Sequence, residues 1–218
     1  MRPPNQGDDR PIAFDVRIHP TAIVEEGVRI GRGSAIWDSV HIRGPETSLG
    51  AECIVGEKSH VSYGVVIGDR VKVNAFVYIC TAVTIETGVM ISAGTVFTND
   101  VYPRATEPDL ATLRSSAPDE ATRPTLVREG ATIGARAVVG CDLVIGRFAM
   151  IGMGGVVTRD VGDHHLVVGH PARPVGFVCR CGRPLVRFVP TAVPDGRWSC
   201  GTCGRAYSGL RGRVAEEA

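Results

Sequence analysis

An aliphatic residue returns at every sixth position along most of this chain. The first run is Ile18, Val24, Ile30, Ile36 and Ile42; after one seven-residue step, the second is Leu49, Val55, Val61, Ile67, Val73, Ile79, Ile85, Ile91 and Phe97. A third, after an interruption, reads Val127, Ile133, Val139, Ile145, Ile151 and Val157. An amphipathic helix repeats near 3.6 residues and a half-buried strand at 2, so neither produces this rhythm. One strand running through it would be several times the ordinary length. A chain that turns a corner every six residues, sending one aliphatic residue inward per side, does produce it, and fixed short periods of this kind mark hexapeptide β-helices. The 20 hexads make nearly seven three-sided coils.

A second column lies four residues after each aliphatic and is small or β-branched, as at Val71, Val77, Val83, Val89 and Thr95. Such residues suit pleated surfaces, and the 27 glycines allow tight corners. Coils stacked about 4.8 Å apart predict a prism on the order of 30 Å tall with a dry interior. The formal net charge of +1 over 218 residues advertises no nucleic-acid face. "MRPPNQGDDRPIAFDVR" lacks the apolar core of a signal peptide, and no stretch is long and apolar enough to span a membrane, so a cytoplasmic protein is expected.

The pattern over residues 18–177 resembles the hexapeptide-repeat acyltransferases. Within that family "GVMISAGTVFTNDVYPRAT", "PTLVREGATIGARAVVG" and "MIGMGGVVTRDV…VVGHPARPVG" are most similar to the bacterial nucleotide-sugar N-acetyltransferases. The resemblance implies a left-handed parallel β-helix, a homotrimer, acetyl-CoA as donor, a nucleotide-linked amino sugar as acceptor, and sites between neighbouring subunits. An all-β chain of about seven coils follows, with residues 18–177 as the acyltransferase domain and a flexible N-terminal segment over 1–17.

The rhythm breaks between Phe97 and Val127, where a loop at about 98–126 is far longer than a corner needs. Long excursions from a rigid scaffold are usually functional or disordered. Residues eighteen apart share a site on successive three-sided coils, which aligns Tyr63, Thr81 and Asn99. A neighbouring column holds His60 and Tyr78, with His41 below them if the extra residue of the seven-residue step is absorbed in a corner. Both lines lead to Asp100 at the loop base, and this constellation is the candidate acceptor site. Direct acyl transfer needs an oriented, unprotonated nucleophile, a donor for the developing oxyanion and an acceptor for the departing proton. Asp100, Asn99 and His60 are the catalytic candidates. Tyr63, Asn74, Tyr78, Thr81 and Arg104 are the substrate-binding candidates. Thr81 stands where many relatives carry an acidic residue, and Asn74, Ala75 and Phe76 where they carry an Asn-rich run. The donor is expected towards the C-terminal coils, at the stacked Gly134 and Gly152 with Met153, Arg159, Pro171, Ala172 and Arg173.

Four of the seven cysteines cluster near the end of the chain. "CRCG" supplies Cys179 and Cys181, and "CGTCG" supplies Cys200 and Cys203, each pair followed by Gly. This is zinc-ribbon spacing with a C-x-C first pair, and two disulfides are the competing assignment. A reducing compartment and a segment too short to bury its own core both favour structural Zn²⁺ over residues 178–209, followed by a flexible tail at 210–218. Cys53, Cys80 and Cys141 are expected to fill space in the coils.

Other classes compete with the N-acetyltransferase reading. An O-acyltransferase would use the same donor site, and a noncatalytic assembly or binding protein would use the prism as scaffold and the ribbon to dock a partner. The prism also builds trimeric carbonic anhydrases, but His41 and His60 lack the close histidine partners such a centre requires, and His164, His165 and His170 lie in the tail.

Overall fold

The computed structural model describes residues 12–188 and 194–217. Most of the N-terminal segment expected to be flexible, residues 1–11, lies outside the described residues. The rest of it belongs to the coil instead, because Ile12 is one hexad before Ile18: it bridges Ile30 in parallel, and the Ala13 N–H donates to the Ile30 carbonyl at 3.1 Å.

The described residues form strands, turns and irregular chain without a helix, arranged as a three-sided parallel β-solenoid. Most sides are two-residue strands, the second residue pointing inward. The first face runs from Arg17–Ile18 through Lys72–Val73 and Met90–Ile91 to Met150–Ile151 and His165–Gly169. The second starts at Ile23–Val24 and continues through His41–Ile42, His60–Val61, Tyr78–Ile79 and Val96–Phe97 to Val156–Val157. The third runs from Arg29–Ile30 to Leu143–Ile145. Eight parallel rungs on the first face span roughly 34 Å. The last of them, His165–Gly169, lies beyond the counted hexads because the chain takes a short step there: Ile151 faces Val167, sixteen positions on.

Coil-to-coil register explains the sequence period. Val55 faces Val73 and Val73 faces Ile91, each eighteen positions on. The seven-residue step makes one pairing on each face nineteen: Ile30 faces Leu49, Ile36 faces Val55, and His41 comes opposite His60. Ile85 faces Val127, 42 positions on rather than 18, so the loop inserts 24 residues without disturbing the stack. The insertion ends at Thr125, where the strand Thr125–Val127 resumes the third face slightly before the expected position.

The inward aliphatics and the second column form one continuous core. Where the second column is polar, the hydroxyl serves neighbouring coils: Ser59 Oγ donates to the Asn74 carbonyl at 3.0 Å and accepts from the Val77 N–H at 3.1 Å. Paired in this way, a buried hydroxyl carries little desolvation cost. Cys53 and Cys80 are buried in the core, and burial pushes the Cys80 thiol up to about 12, which suits a space-filling role.

Beyond the last rung the direction reverses. Ala172–Val178 returns antiparallel to His165–Gly169, and Pro184–Arg187 adds antiparallel to it, all within the first-face sheet. A separate three-stranded antiparallel sheet follows, of Gly196–Ser199, Ala206–Leu210 and Arg213–Glu216. Residues 213–216, expected in a flexible tail, are therefore an edge strand. The turn at Arg211 and Gly212 folds it back, and Val214 packs against buried Tyr207, Cys179 and Cys200.

Candidate acceptor site and thiol cluster

Outward residues of the second face form a ladder. His41 and His60 meet edge to face with ring centroids 5.2 Å apart, and His60 stacks on Tyr78 at 5.3 Å with 10° between the planes. The stacking follows from register, since His41, His60 and Tyr78 pair rung to rung. Burial lowers the His60 pKa, and the nearby His41 and Arg43 add to the effect.

At the foot of the ladder stands Glu25. Its Oε1 lies 2.7 Å from His41 Nε2, its Oε2 accepts from the Gly44 N–H at 3.1 Å, and Arg43 Nε is 3.5 Å from Oε1. The His41 hydrogen bond is the main cause holding the Glu25 carboxyl below the usual range. The Arg43 guanidinium carbon sits 5.2 Å from the centre of the Tyr63 ring. Tyr63 in turn donates its hydroxyl to the Ser116 carbonyl at 3.2 Å, tying the inserted loop to the second face.

The remaining acceptor candidates divide. The Thr81 hydroxyl donates to the Tyr63 carbonyl at 3.2 Å, consistent with their stacking. Asn99 and Asp100 form the loop base, where the Asn99 carbonyl accepts from the Arg123 N–H at 2.9 Å and Asp100 bridges Thr122. Among the described residues no hydrogen bond or ion pair joins Asp100 to His60. Asn74 follows a first-face strand and so lies at the opposite edge of the second face from Tyr63 and Thr81. Arg104 is exposed on the loop, and its guanidinium donates to the Pro103 carbonyl. Glu25, Arg43 and Ser116 were not singled out from sequence. Glu25 and Arg43 are eighteen apart and follow the paired residues Val24 and Ile42, so the stacking rule reaches them.

On the donor side, Gly134 stacks on Gly152 as the spacing requires. A Cβ at Gly134 would lie 2.6 Å from the Ile151 carbonyl oxygen and 2.7 Å from the Met153 nitrogen. Close stacking of this chain's own coils thus requires the glycine whether or not a ligand approaches. Gly134→Ala is expected to lower the melting temperature by roughly 3–10 °C even without a donor; thermal unfolding of the ligand-free protein checks this, and an unchanged value would leave the glycine to a ligand. Met153 is 83% exposed, and Arg159 is exposed. The Arg173 guanidinium donates to the Ala172 carbonyl, at the hairpin that carries Pro171.

The four clustered cysteines converge. All four Sγ atoms lie within 4.8 Å of one another, with Cys179 and Cys203 at 3.4 Å and Cys181 and Cys200 at 3.7 Å. Disulfide sulfurs would be about 2.05 Å apart, whereas four thiolates about 2.3 Å from a tetrahedral zinc lie roughly 3.8 Å from one another. Two similar turns present the thiols: the Gly182 N–H returns to the Cys179 carbonyl at 2.8 Å, and the Gly204 N–H to the Cys200 carbonyl at 2.9 Å. Hydrogen bonds from Arg205, first its backbone N–H, draw the Cys203 thiol down to about 6. The Tyr207 hydroxyl lies 3.2 Å from Cys179 Sγ and accepts from the Arg180 N–H at 3.0 Å. His164 joins cluster to solenoid, its ring stacked on Phe148 and edge-on to Tyr207. No other group of three or more His, Cys, Asp or Glu side chains converges as a metal site among the described residues.

Fold and repeat together define a hexapeptide-repeat β-solenoid. The family description "Bacterial transferase hexapeptide (six repeats)" matches residues 64–99. The chain is 41% identical over 92 residues to the dTDP-3-amino-3,6-dideoxy-alpha-D-galactopyranose 3-N-acetyltransferase of Aneurinibacillus thermoaerophilus, covering 42% of this chain and 44% of that protein. It is 29% identical over 175 residues to the bifunctional protein GlmU of Sphingopyxis alaskensis, covering 72% of this chain and 34% of the other. The matched regions span less than half the length of these curated relatives. Among solved structures, a point mutant of AntD, an N-acyltransferase from Bacillus cereus in complex with dTDP and coenzyme A, aligns with a TM-score of 0.49 at 16% identity, over 78% of this chain and 81% of that one.

Proposed function

We propose that this protein is an acetyl-CoA-dependent N-acetyltransferase acting on the amino group of a nucleotide-linked sugar. The observation that carries the reading is the 41% identity to a sugar 3-N-acetyltransferase. The inserted loop, tethered through Tyr63 to a polar and aromatic ladder, supplies an acceptor surface suited to a ring-shaped substrate. Asn99 and Asp100 at the loop base orient the acceptor and the thioester carbonyl, with His60 lower on the same face. Tyr63, Tyr78 and Thr81 line the acceptor, and Arg104 reaches it from the loop. The C-terminal coils, with Met153, Arg159 and the hairpin of Pro171, Ala172 and Arg173, receive coenzyme A. Cys179, Cys181, Cys200 and Cys203 hold a structural Zn²⁺, whose four protein ligands leave no open position for substrate.

The acting form is a homotrimer in a reducing, cytoplasmic setting. Tyr78, Val96 and Val138 make an exposed apolar stripe on the second face, with Ile23 exposed on the far side of the two histidines, and Tyr102, Leu110 and Leu113 protrude from the loop. Recesses of about 250 Å³ beside Trp37 and about 540 Å³ beside Thr84 and Glu129 both lie away from the ladder, as suits an acceptor site closed by a neighbouring copy.

Asp100→Asn is expected to lower kcat by at least about 10-fold, as a lost positioning contact does, while light scattering shows an unchanged trimer. Unaltered kinetics would remove Asp100 from the site.

A further inference from the structure

We infer that the four-cysteine cluster positions the hairpin that receives coenzyme A, so that metal occupancy sets the affinity for the acyl donor. This rests on the acyl-transfer reading above and gives the C-terminal region a task within it. One strand links the two places: Ala172–Val178 begins in the hairpin of Pro171, Ala172 and Arg173 and runs directly into Cys179.

That strand is supported unequally. On one side the last rung, His165–Gly169, pairs with it from Phe177 back to Ala172. On the other, Pro184–Arg187 covers only Val178 to Gly176, and the Phe188 N–H extends the cover to the Val175 carbonyl at 2.9 Å. Arg173 and Pro174 are exposed beyond that cover. The hairpin therefore projects from a root paired on both sides, and its order depends on whether Pro184–Arg187 stays in place.

The covering strand is held by the thiol cluster and the sheet around it. The Cys179 N–H donates to the Arg183 carbonyl at 2.8 Å, closing the turn that carries Cys181. Leu185 packs against the buried core of Cys179, Cys200 and Tyr207. Phe177 meets both Phe188 and Trp198, with ring centroids 4.8 and 5.5 Å away, and Trp198 stands two residues before Cys200. The same separate sheet touches the last rung, where His165 Nε2 lies 2.9 Å from the Gly212 carbonyl oxygen. Arg180 adds a lesser tie: its guanidinium is 4.7 Å from the Phe148 ring centre and 3.9 Å from the Glu129 and Glu216 carboxylates, and half-exposed pairs at that distance contribute little.

Without metal the small sheet has too little buried surface to stay folded. Trp198 and Phe188 then leave Phe177, and Ala172–Val178 becomes an edge strand. Arg173, an exposed guanidinium at the hairpin, suits the phosphates of coenzyme A. A hairpin formed in only a fraction of the molecules lowers the apparent affinity by that fraction. Once the donor is seated the reacting groups are unchanged, so metal loss raises the acetyl-CoA KM and spares kcat.

The test is calorimetric titration of the full-length protein with coenzyme A before metal removal, after stripping by a chelator and after zinc is restored, alongside transfer kinetics with dTDP- or UDP-linked amino sugars. Stripping is expected to weaken coenzyme A binding about 10-fold and to raise the acetyl-CoA KM equally, with kcat within about twofold, and zinc should restore both. Amide exchange should quicken over residues 169–178 and stay slow at Ile79, Ile91 and Ile133 in the coils. Trp198→Ala, which keeps all four thiols, is expected to retain zinc and weaken coenzyme A binding about threefold. S-acetylpantetheine, which lacks the nucleotide phosphates, should keep its kcat/KM within about twofold on stripping. Unchanged coenzyme A affinity after stripping would overturn this inference alone. An equal loss with S-acetylpantetheine, or a fall in kcat with KM unmoved, would overturn it as well, by making the effect a general loosening. No coenzyme A binding by the zinc-loaded wild type would overturn the acyl-transfer reading, and this inference with it.

Discussion

Cys200→Ser is expected to unfold the C-terminal sheet while the solenoid stays folded. That sheet has little of its own to hold it: its buried core is Cys179, Cys200 and Tyr207, edged by Leu185, Trp198 and Val214. A segment of this size buries too little surface to offset its chain entropy, and four-thiolate zinc binding supplies on the order of 10 kcal/mol in comparable small folds. Elemental analysis should find one zinc per wild-type chain and none in the variant. Limited proteolysis should then open the chain beyond Val178 while sparing the coils. A strong chelator should act in the same way. A zinc-free wild type with an equally resistant C-terminus would contradict the metal assignment.

Val73→Lys should be still more damaging, although its neighbour Lys72 is already charged. Lys72 lies outward on the first face, whereas Val73 is buried in the aliphatic stack between Val55 and Ile91. An unpaired ammonium in that interior costs several kcal/mol, enough to lower the melting temperature by roughly 10–20 °C or prevent folding. Moving the charge by one position reverses the face it occupies. A Val73→Lys variant that melts with the wild type would show that the inward column has been assigned to the wrong phase.

That phase was open to sequence reading because a solenoid writes one inward residue per side. Eighteen-residue spacing then placed His60 under Tyr78 and Tyr63 under Thr81. The corners were less legible. Those leading to Ile30 through Phe97 and to Ile133 through Val157 turn through a residue with positive φ three positions before the inward aliphatic, and although Gly33 and Gly94 serve at some, Glu52, Lys58, Arg70 and Phe76 serve at others. Coil stacking holds these side-chain-bearing residues in a conformation they seldom take alone, so glycine content identified only part of the pattern. The expected donor signal at Gly134 has a local cause as well, the close approach of the next coil's backbone.

The acceptor surface was half visible. His41, His60 and Tyr78 follow from register alone, but the contact between Tyr63 and Ser116 spans 53 positions and depends on how an irregular loop folds back, for which no periodic signal exists. Glu25 carries no distinguishing signal in the sequence, since beside Glu26 at a corner it has the character of ordinary solvated charge. In the C-terminal region the C-x-C and C-x-x-C pairs identified the thiol cluster. The edge strand Arg213–Glu216 did not stand out, since its outward charged residues conceal the single inward Val214.

The most direct test of the central claim is mass-detected acyl transfer from acetyl-CoA, with thiol release recorded in parallel, against UDP- and dTDP-linked amino sugars and their hydroxyl counterparts. The account predicts one acetyl group added to a sugar amine, with stoichiometric thiol and no product from the hydroxyl counterparts. Acetylation confined to a hydroxyl would make the protein an O-acyltransferase. The absence of both transfer and coenzyme A binding would contradict the enzyme reading altogether.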